Sequence, residues 1–115
     1  MKKICFAIAA VLSVSATLPA LAQTPTLDSD NYYLGLLNRH VNQNNRIRWQ
    51  LNDSQKVFDG KLVCFAYQQG VSKEDFITDV VNNSRIYRDF NTEEANDYFA
   101  TVLAVAEEVY CPEFK

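Results

Sequence analysis

The strongest constraint on the fold of this 115-residue chain is a cysteine that stands close to its end. Cys111 is followed at once by Pro112, which has no backbone N–H and cannot continue a helix. A helix that leads up to Cys111 must therefore end there. A second cysteine elsewhere in the chain can then hold that end in place.

The beginning of the chain has the layout of a secretory signal peptide. Lys2 and Lys3 form a short basic head, an apolar stretch follows, and small residues stand before Gln23. We expect cleavage to remove residues 1–22, which makes the mature protein secreted or periplasmic. The apolar stretch is also nearly long enough to serve as an uncleaved membrane anchor, and that alternative stays open. We expect no transmembrane segment after it.

Cleavage would leave two cysteines, because Cys5 lies inside the removed segment. In an exported protein an even pair most simply forms a disulfide, so we predict a bridge between Cys64 and Cys111. Loop entropy gives such a bridge a stabilising effect on the order of 4 kcal/mol. A redox-active pair is the alternative, although the chain has no C-x-x-C motif.

The rest of the chain predicts one all-α domain, a small bundle of about four helices. Residues 23–27 are interpreted as a flexible leader and residues 28–115 as the domain. Capping residues mark the predicted helix starts, which are Asp28 to Asp30, Asn52 to Ser54, Ser72, and Asn91 or Thr92. Apolar residues at helical spacing are expected inward, among them Tyr33, Leu37, Phe58, Ala66, Phe76, Ile77, Val80, Val81, Val102 and Leu103.

One stretch does not follow the helical pattern. Residues Arg46 to Leu51 alternate polar and apolar side chains as a strand does. The sequence offers no second strand to pair with it, so its backbone groups would lack partners in a sheet. We expect an extended segment or an early start of the next helix, with Trp49 filling the core.

Four features occur in order along the chain and together resemble a known family. They are "DNYYLGLLNR", "KLVCFAYQQG", an acidic capped segment and a terminal "VYCP". In these features the region from Asp28 to Pro112 resembles the domain of unknown function 732 (DUF 732) family of small exported bacterial proteins. The resemblance implies a helical domain with a Cys64–Cys111 bridge in or outside the cell envelope. It implies no catalytic residue.

The clearest functional signal is a basic segment in an otherwise acidic chain. It contains the candidate ligand- or partner-binding residues Arg39, His40, Arg46, Arg48 and Trp49, with no acidic residue between them. Arginines beside an aromatic ring can hold a phosphate, a carboxylate or an acidic partner. The alternative is an internal charge balance against the acidic helices.

The charge and motif content narrow the class of function. The formal net charge is -3 and falls to -5 when the two lysines of the signal peptide are removed, so we expect no nucleic-acid partner. We also expect no cofactor and no metal site. His40 is the only histidine, and the acidic residues at predicted helix starts match no metal-loop spacing, namely Asp28 and Asp30, or Glu93, Glu94 and Asp97. The predicted function is a non-catalytic binding or interaction module for a protein or a small anionic ligand. The alternatives are a structural component of the cell envelope and a small secreted hydrolase that uses His40.

Overall fold

The structure is a computed structural model that describes residues 27–115. The predicted signal peptide and residues 23–26 of the predicted leader lie outside the described residues. The described part contains six α-helices, followed by one short 3-10 helix, and no strand. The elements are α1 (Leu27–His40), α2 (Ile47–Gln50), α3 (Asp53–Gln68), α4 (Lys73–Asn83), α5 (Arg85–Asp89), α6 (Thr92–Val109) and the 3-10 helix Pro112–Phe114. The prediction of an all-α domain with four substantial helices is confirmed.

Side-chain caps start three of the long helices where the sequence predicts them. Asn52 and Ser72 each accept a hydrogen bond from the backbone N–H three residues later, at the starts of α3 and α4. Asn91 and Glu94 form a reciprocal capping box at the start of α6. Gly70, with φ of 84°, lies just after α3 in the left-handed region that glycine adopts easily. Local signals therefore set most of the helix boundaries.

Helix α6 is the centre of the core, because it packs against α1, α2, α3 and α5. Val102 and Leu103, predicted inward, are buried, and so are Ala95, Tyr98, Phe99 and Ala106 of the same helix. Opposite them, α1 contributes Tyr33 and Leu37, and α3 contributes Val63. No helix among residues 27–115 is both long and apolar enough to cross a membrane.

The predicted disulfide between Cys64 and Cys111 is present. It joins α3 to the end of α6, with 5.8 Å between the two Cα atoms and a sequence separation of 47 residues. Both cysteines are buried. Helix α6 ends at Val109, two residues before the end expected at Cys111, and Pro112 begins the 3-10 helix directly after the bridge. The cysteine therefore pins the segment just after α6 to α3.

The prediction of which side chains face inward was wrong at three positions. Phe58 on α3 and both Ile77 and Val81 on α4 are exposed. The buried face of α3 differs from the predicted one because it includes the polar residues Lys56 and Asp59. A prediction based on the spacing of apolar residues does not place polar side chains in the core. The segment between α4 and α6 contains a further short helix, α5.

The prediction that Trp49 fills the core was also wrong. Residues 47–50 form a helix, in which side chains two positions apart point in nearly opposite directions. Ile47 is fully buried, so Trp49 faces away from the core and is 71% exposed. The alternation that indicated a strand comes from one turn of helix lying on the surface.

Candidate functional site

The basic segment contains one arginine, Arg46, whose charge is paired with an acidic residue of the same chain. The Arg46 guanidinium binds the Glu94 carboxylate through two nitrogens, with Nη2–Oε1 at 2.7 Å and Nε–Oε2 at 3.0 Å. The Arg46 backbone N–H also donates to Glu94 Oε2 at 3.0 Å. These hydrogen bonds lower the pKa of Glu94 to about 2. Arg46 therefore connects the loop before α2 to the start of α6.

The same loop is fixed by a buried asparagine. Asn45 Nδ2 donates to the Glu94 carbonyl at 2.8 Å and to Asp97 Oδ2 at 3.0 Å. Its Oδ1 accepts the N–H of Ile47 at 2.9 Å, which starts α2. Asp97 also accepts the backbone N–H of Asn42 at 3.0 Å. The segment "VNQNNR" is thus held against α6 by hydrogen bonds at both its ends.

A buried lysine brings α1 and α2 together on the other side of this segment. Lys56 of α3 donates from Nζ to Asn38 Oδ1 and to the Arg48 carbonyl, both at 2.9 Å. Because both oxygens lie 2.9 Å from the same atom, they are less than 6 Å apart. Burial lowers the pKa of Lys56. The Asn38 side chain, in the last turn of α1, therefore lies close to the backbone of α2.

Trp49 is an exposed residue of the segment, and its ring lies beside the half-buried Arg48. The Trp49 indole N–H donates to the Gln43 carbonyl at 3.2 Å, and the Arg48 guanidinium carbon lies 5.1 Å from the ring centre. Within residues 27–115, Arg39, His40 and Arg48 have no carboxylate oxygen within 4 Å. We call Arg39, His40, Arg48 and Trp49 the tryptophan surface.

A second feature is a cleft of about 440 Å³ between α3, α4 and α5, which we call the acidic cleft. Its walls are largely apolar, and the carbon side chains include Leu62, Phe76, Val80, Ile86, Phe90 and Phe99. Two buried carboxylates also line it, Asp59 from α3 and Asp79 from α4. Arg85 and Asp89 of α5 complete its charged lining.

Asp59 has an unusual environment for a carboxylate. It is 7% exposed and accepts hydrogen bonds from Gln55 Nε2 at 2.9 Å and from the Tyr98 hydroxyl at 2.6 Å. Burial raises the pKa of Asp59 to about 6, although these two hydrogen bonds act in the opposite direction. Asp79 is also buried and accepts from Asn83 Nδ2 at 2.8 Å. Asp59 is therefore a carboxyl group that changes charge near neutral pH.

This pKa predicts how stability depends on pH. Because the pKa of Asp59 is about 6 in the fold and ordinarily 3.8, the folded protein binds more protons between those values. The free energy of unfolding should therefore fall by on the order of 3 kcal/mol as pH rises from about 4 to above 6. Urea unfolding of the wild type and of Asp59→Asn measures this, and the variant should lose most of that slope.

Glu94 gives the free energy of unfolding the opposite pH dependence, in a lower pH range. Its pKa is lowered, so its contribution is present above its ordinary value of 4.5 and is lost as pH falls toward about 2. Urea unfolding of Glu94→Gln should therefore keep the slope from Asp59 and lose only the acid-side dependence. An unchanged slope in Asp59→Asn would contradict the assignment to Asp59.

Asp30, an acidic residue at the start of α1, is engaged within the fold. Asp30 Oδ1 accepts from the Tyr110 hydroxyl at 2.6 Å, and Asp30 Oδ2 lies 3.6 Å from Lys61 Nζ. Within residues 27–115, no group of three or more histidine, cysteine, aspartate or glutamate side chains is arranged to hold a metal ion. Tyr67 likewise donates to Glu107 at 2.8 Å. These contacts connect α1 and α3 to the end of α6.

Reasoning from sequence missed the acidic cleft. Asp59 and Asp79 were not singled out, because an acid inside a helix normally marks the solvated face. The spacing along α3 does contain a signal for Asp59. Asp59 lies three residues after Lys56 and four before Val63, and residues at this spacing share one face of a helix. The neighbouring Gly60 is a further sign of close packing on that side.

The fold and these two surfaces define a small all-α domain that is closed by one disulfide. A comparison of the chain with protein-family models, with curated proteins and with solved structures finds no match. The resemblance to the DUF 732 family stays a prediction that rests on the sequence features given above.

Proposed function

We propose that this protein is an exported, non-catalytic binding module that engages an acidic protein or a small anionic ligand through the tryptophan surface. The observation that carries the proposal is the 71% exposure of Trp49. A large aromatic ring left in water is unfavourable by itself, and tryptophan is among the residues most enriched at the energetic centres of interfaces. An exposed tryptophan is therefore a candidate anchor.

The Trp49 ring is also held in place before any partner arrives. Its N–H is bound to the Gln43 carbonyl, and the Arg48 guanidinium lies against the ring. A side chain that is already ordered loses little conformational entropy on binding. This preorganisation supports a role in recognition.

The charge of the surface supports an acidic or anionic partner. Arg39, His40 and Arg48 are available to a partner carboxylate or phosphate, since the described residues place no carboxylate within 4 Å of them. Arg46 has a different role, because its guanidinium is bound by Glu94. We assign Arg46 to positioning the loop that carries Gln43.

The test uses Trp49 itself as the probe, because it is the only tryptophan of the chain. We expect its fluorescence to change when a glutamate-rich peptide or inorganic phosphate is titrated into the protein. Arg48→Ala should weaken that binding about tenfold, which corresponds to about 1.4 kcal/mol, with an unchanged melting temperature. Tyr32→Ala, at a 58% exposed ring on α1, is the matched control and should bind as the wild type does.

The outcomes separate the proposal from its alternative. If Arg48→Ala binds both probes as tightly as the wild type, the tryptophan surface is the wrong site. If neither probe binds the wild-type protein, a structural role in the cell envelope becomes the better proposal.

The proposal that the protein is exported rests on other observations than the tryptophan surface. Disulfides persist in oxidising compartments, and the Cys64–Cys111 bridge fits the signal-peptide pattern of residues 1–22. We expect the protein recovered from the envelope or medium of its host to have a mass that begins at Gln23 and is two hydrogens below the reduced value. A mass that includes residues 1–22 would refute cleavage, and free thiols would refute the bridge.

A further inference from the structure

The lining of the acidic cleft contains more acidic than basic side chains. Among the described residues that line it, the acids are Asp59, Asp79 and Asp89, whereas Arg85 is the cation. Asp59 and Asp79 lie in the buried wall, and Asp89 lies at the exposed rim. A cavity with this lining is electrostatically suited to a positively charged occupant.

Among the residues that line the cleft, Asp59 gives the strongest argument that a cation binds there. Its hydrogen-bond donors Gln55 and Tyr98 are neutral, and no lysine, arginine or histidine nitrogen of residues 27–115 lies within 4 Å of its carboxylate. Burying a carboxylate without a cation is costly in free energy. A cation bound in the cleft would remove that cost when Asp59 is ionised.

The rest of the lining indicates which kind of cation fits. The described residues bring together no group of three or more metal-ligating side chains. Around the carboxylates the wall is mainly carbon, including the rings of Phe76, Phe90 and Phe99. The volume of about 440 Å³ lies within the range of small-molecule pockets. The lining therefore suits an organic cation with an apolar body better than a hydrated metal ion.

We propose that the acidic cleft is a second site, separate from the tryptophan surface, that binds a small organic ammonium ion. The ammonium group pairs with Asp59, and the apolar body lies against the aromatic side of the cleft. This site uses none of the residues of the tryptophan surface, so it stands or falls independently of the function proposed above.

Three probes of similar size test the charge requirement. Benzylamine, benzyl alcohol and benzoate share one aromatic ring and differ in charge. Isothermal titration of the bridged protein at about pH 7.5 should show benzylamine binding at least about tenfold more tightly than benzyl alcohol, and no binding of benzoate. Equal binding of benzylamine and benzyl alcohol, or tighter binding of benzoate, would overturn the proposal.

Variants test the assignment to Asp59. Asp59→Asn keeps the size of the side chain and removes its charge, so it should weaken benzylamine binding about tenfold and leave benzyl alcohol unaffected. Glu93→Gln removes an exposed charge from the first turn of α6, outside the cleft, and serves as the control. An Asp59→Asn protein that is folded and binds benzylamine normally would overturn the assignment.

A pH series on the wild-type protein gives a second measurement that needs no variant. The titratable and charged groups that face Asp59 or the cleft are Tyr33, Tyr98, Asp79, Arg85 and Asp89. Benzylamine stays protonated over this range, whereas Asp59 takes up a proton near pH 6. Affinity should therefore fall about tenfold between about pH 7.5 and about pH 5. A pH-independent affinity would overturn the pairing with Asp59.

Discussion

Replacing Cys64 with serine is expected to lower the melting temperature by roughly 15 to 30 °C. The bridge closes a loop with a sequence separation of 47 residues, and loop entropy assigns it on the order of 4 kcal/mol. In a domain of this size each kcal/mol corresponds to about 4 to 8 °C. Thermal unfolding followed by circular dichroism measures the shift. The loss is large because total stabilities are commonly only about 5 to 15 kcal/mol.

A double variant separates the bridge from the chemistry of a free thiol. Cys64→Ser leaves Cys111 unpaired in a fully buried position, whereas Cys64→Ser with Cys111→Ser leaves no thiol in the described part of the chain. Both proteins should melt at similar temperatures, and reduction of the wild type should reproduce the decrease. A wild-type melting temperature in either variant would refute the stabilising role of the bridge.

The second large effect is expected from Gly60→Ala. A Cβ atom at Gly60 would lie 2.5 Å from Cε1 and Cζ of Tyr33, well inside van der Waals contact. The Tyr33 ring cannot easily move aside, because it is fully buried and its hydroxyl donates to the Lys56 carbonyl at 2.7 Å. We expect the free energy of unfolding to fall by about 2 to 3 kcal/mol in urea unfolding experiments.

The chain supplies a matched control for this substitution. Gly35 lies in α1, and a Cβ atom there would have no heavy atom within 4 Å apart from its own neighbouring helix backbone. Gly35→Ala should therefore raise the free energy of unfolding by about 0.5 to 1 kcal/mol through helix propensity and lost backbone entropy of the unfolded chain. Similar effects of the two substitutions would contradict the close packing of α1 on α3.

Helix boundaries and the disulfide were predictable from the sequence because their signals are local or few. Asn52, Ser72 and Asn91 cap their helices through backbone groups three residues away. The bridge follows from two cysteines that remain once the predicted signal peptide is set aside. These inferences need no knowledge of how the helices pack.

The placement of polar groups in the core could not be predicted in the same way. Lys56 and Asp59 are buried because Asn38, Arg48, Gln55 and Tyr98 supply their hydrogen bonds, and most of these partners come from other helices. Periodicity alone assigns such residues to the solvated face.

The surface position of Trp49 was difficult to predict for a similar reason, although here an apolar residue is exposed and not a polar one buried. An alternating pattern of six residues fits both a strand and a single helical turn, and tertiary contacts decide between them. Here Asn45 and Arg46 attach the loop to α6 and start a short helix, which turns Ile47 inward and Trp49 outward. The charge pattern of the sequence was therefore enough to select the candidate residues. Only the structure shows that Arg46 is bound to Glu94 and is separate from the residues of the tryptophan surface.

The central position of α6 also bears on when this chain can acquire its structure. Helices α1, α2, α3 and α5 all pack against α6, which follows them in the chain. The contact between Asp30 and Tyr110 alone spans 80 residues. Until α6 has left the ribosome, the earlier helices lack the surface that buries them, and short isolated helices are marginal in water. The domain should therefore fold late and as one unit, only after most of the chain has been synthesised.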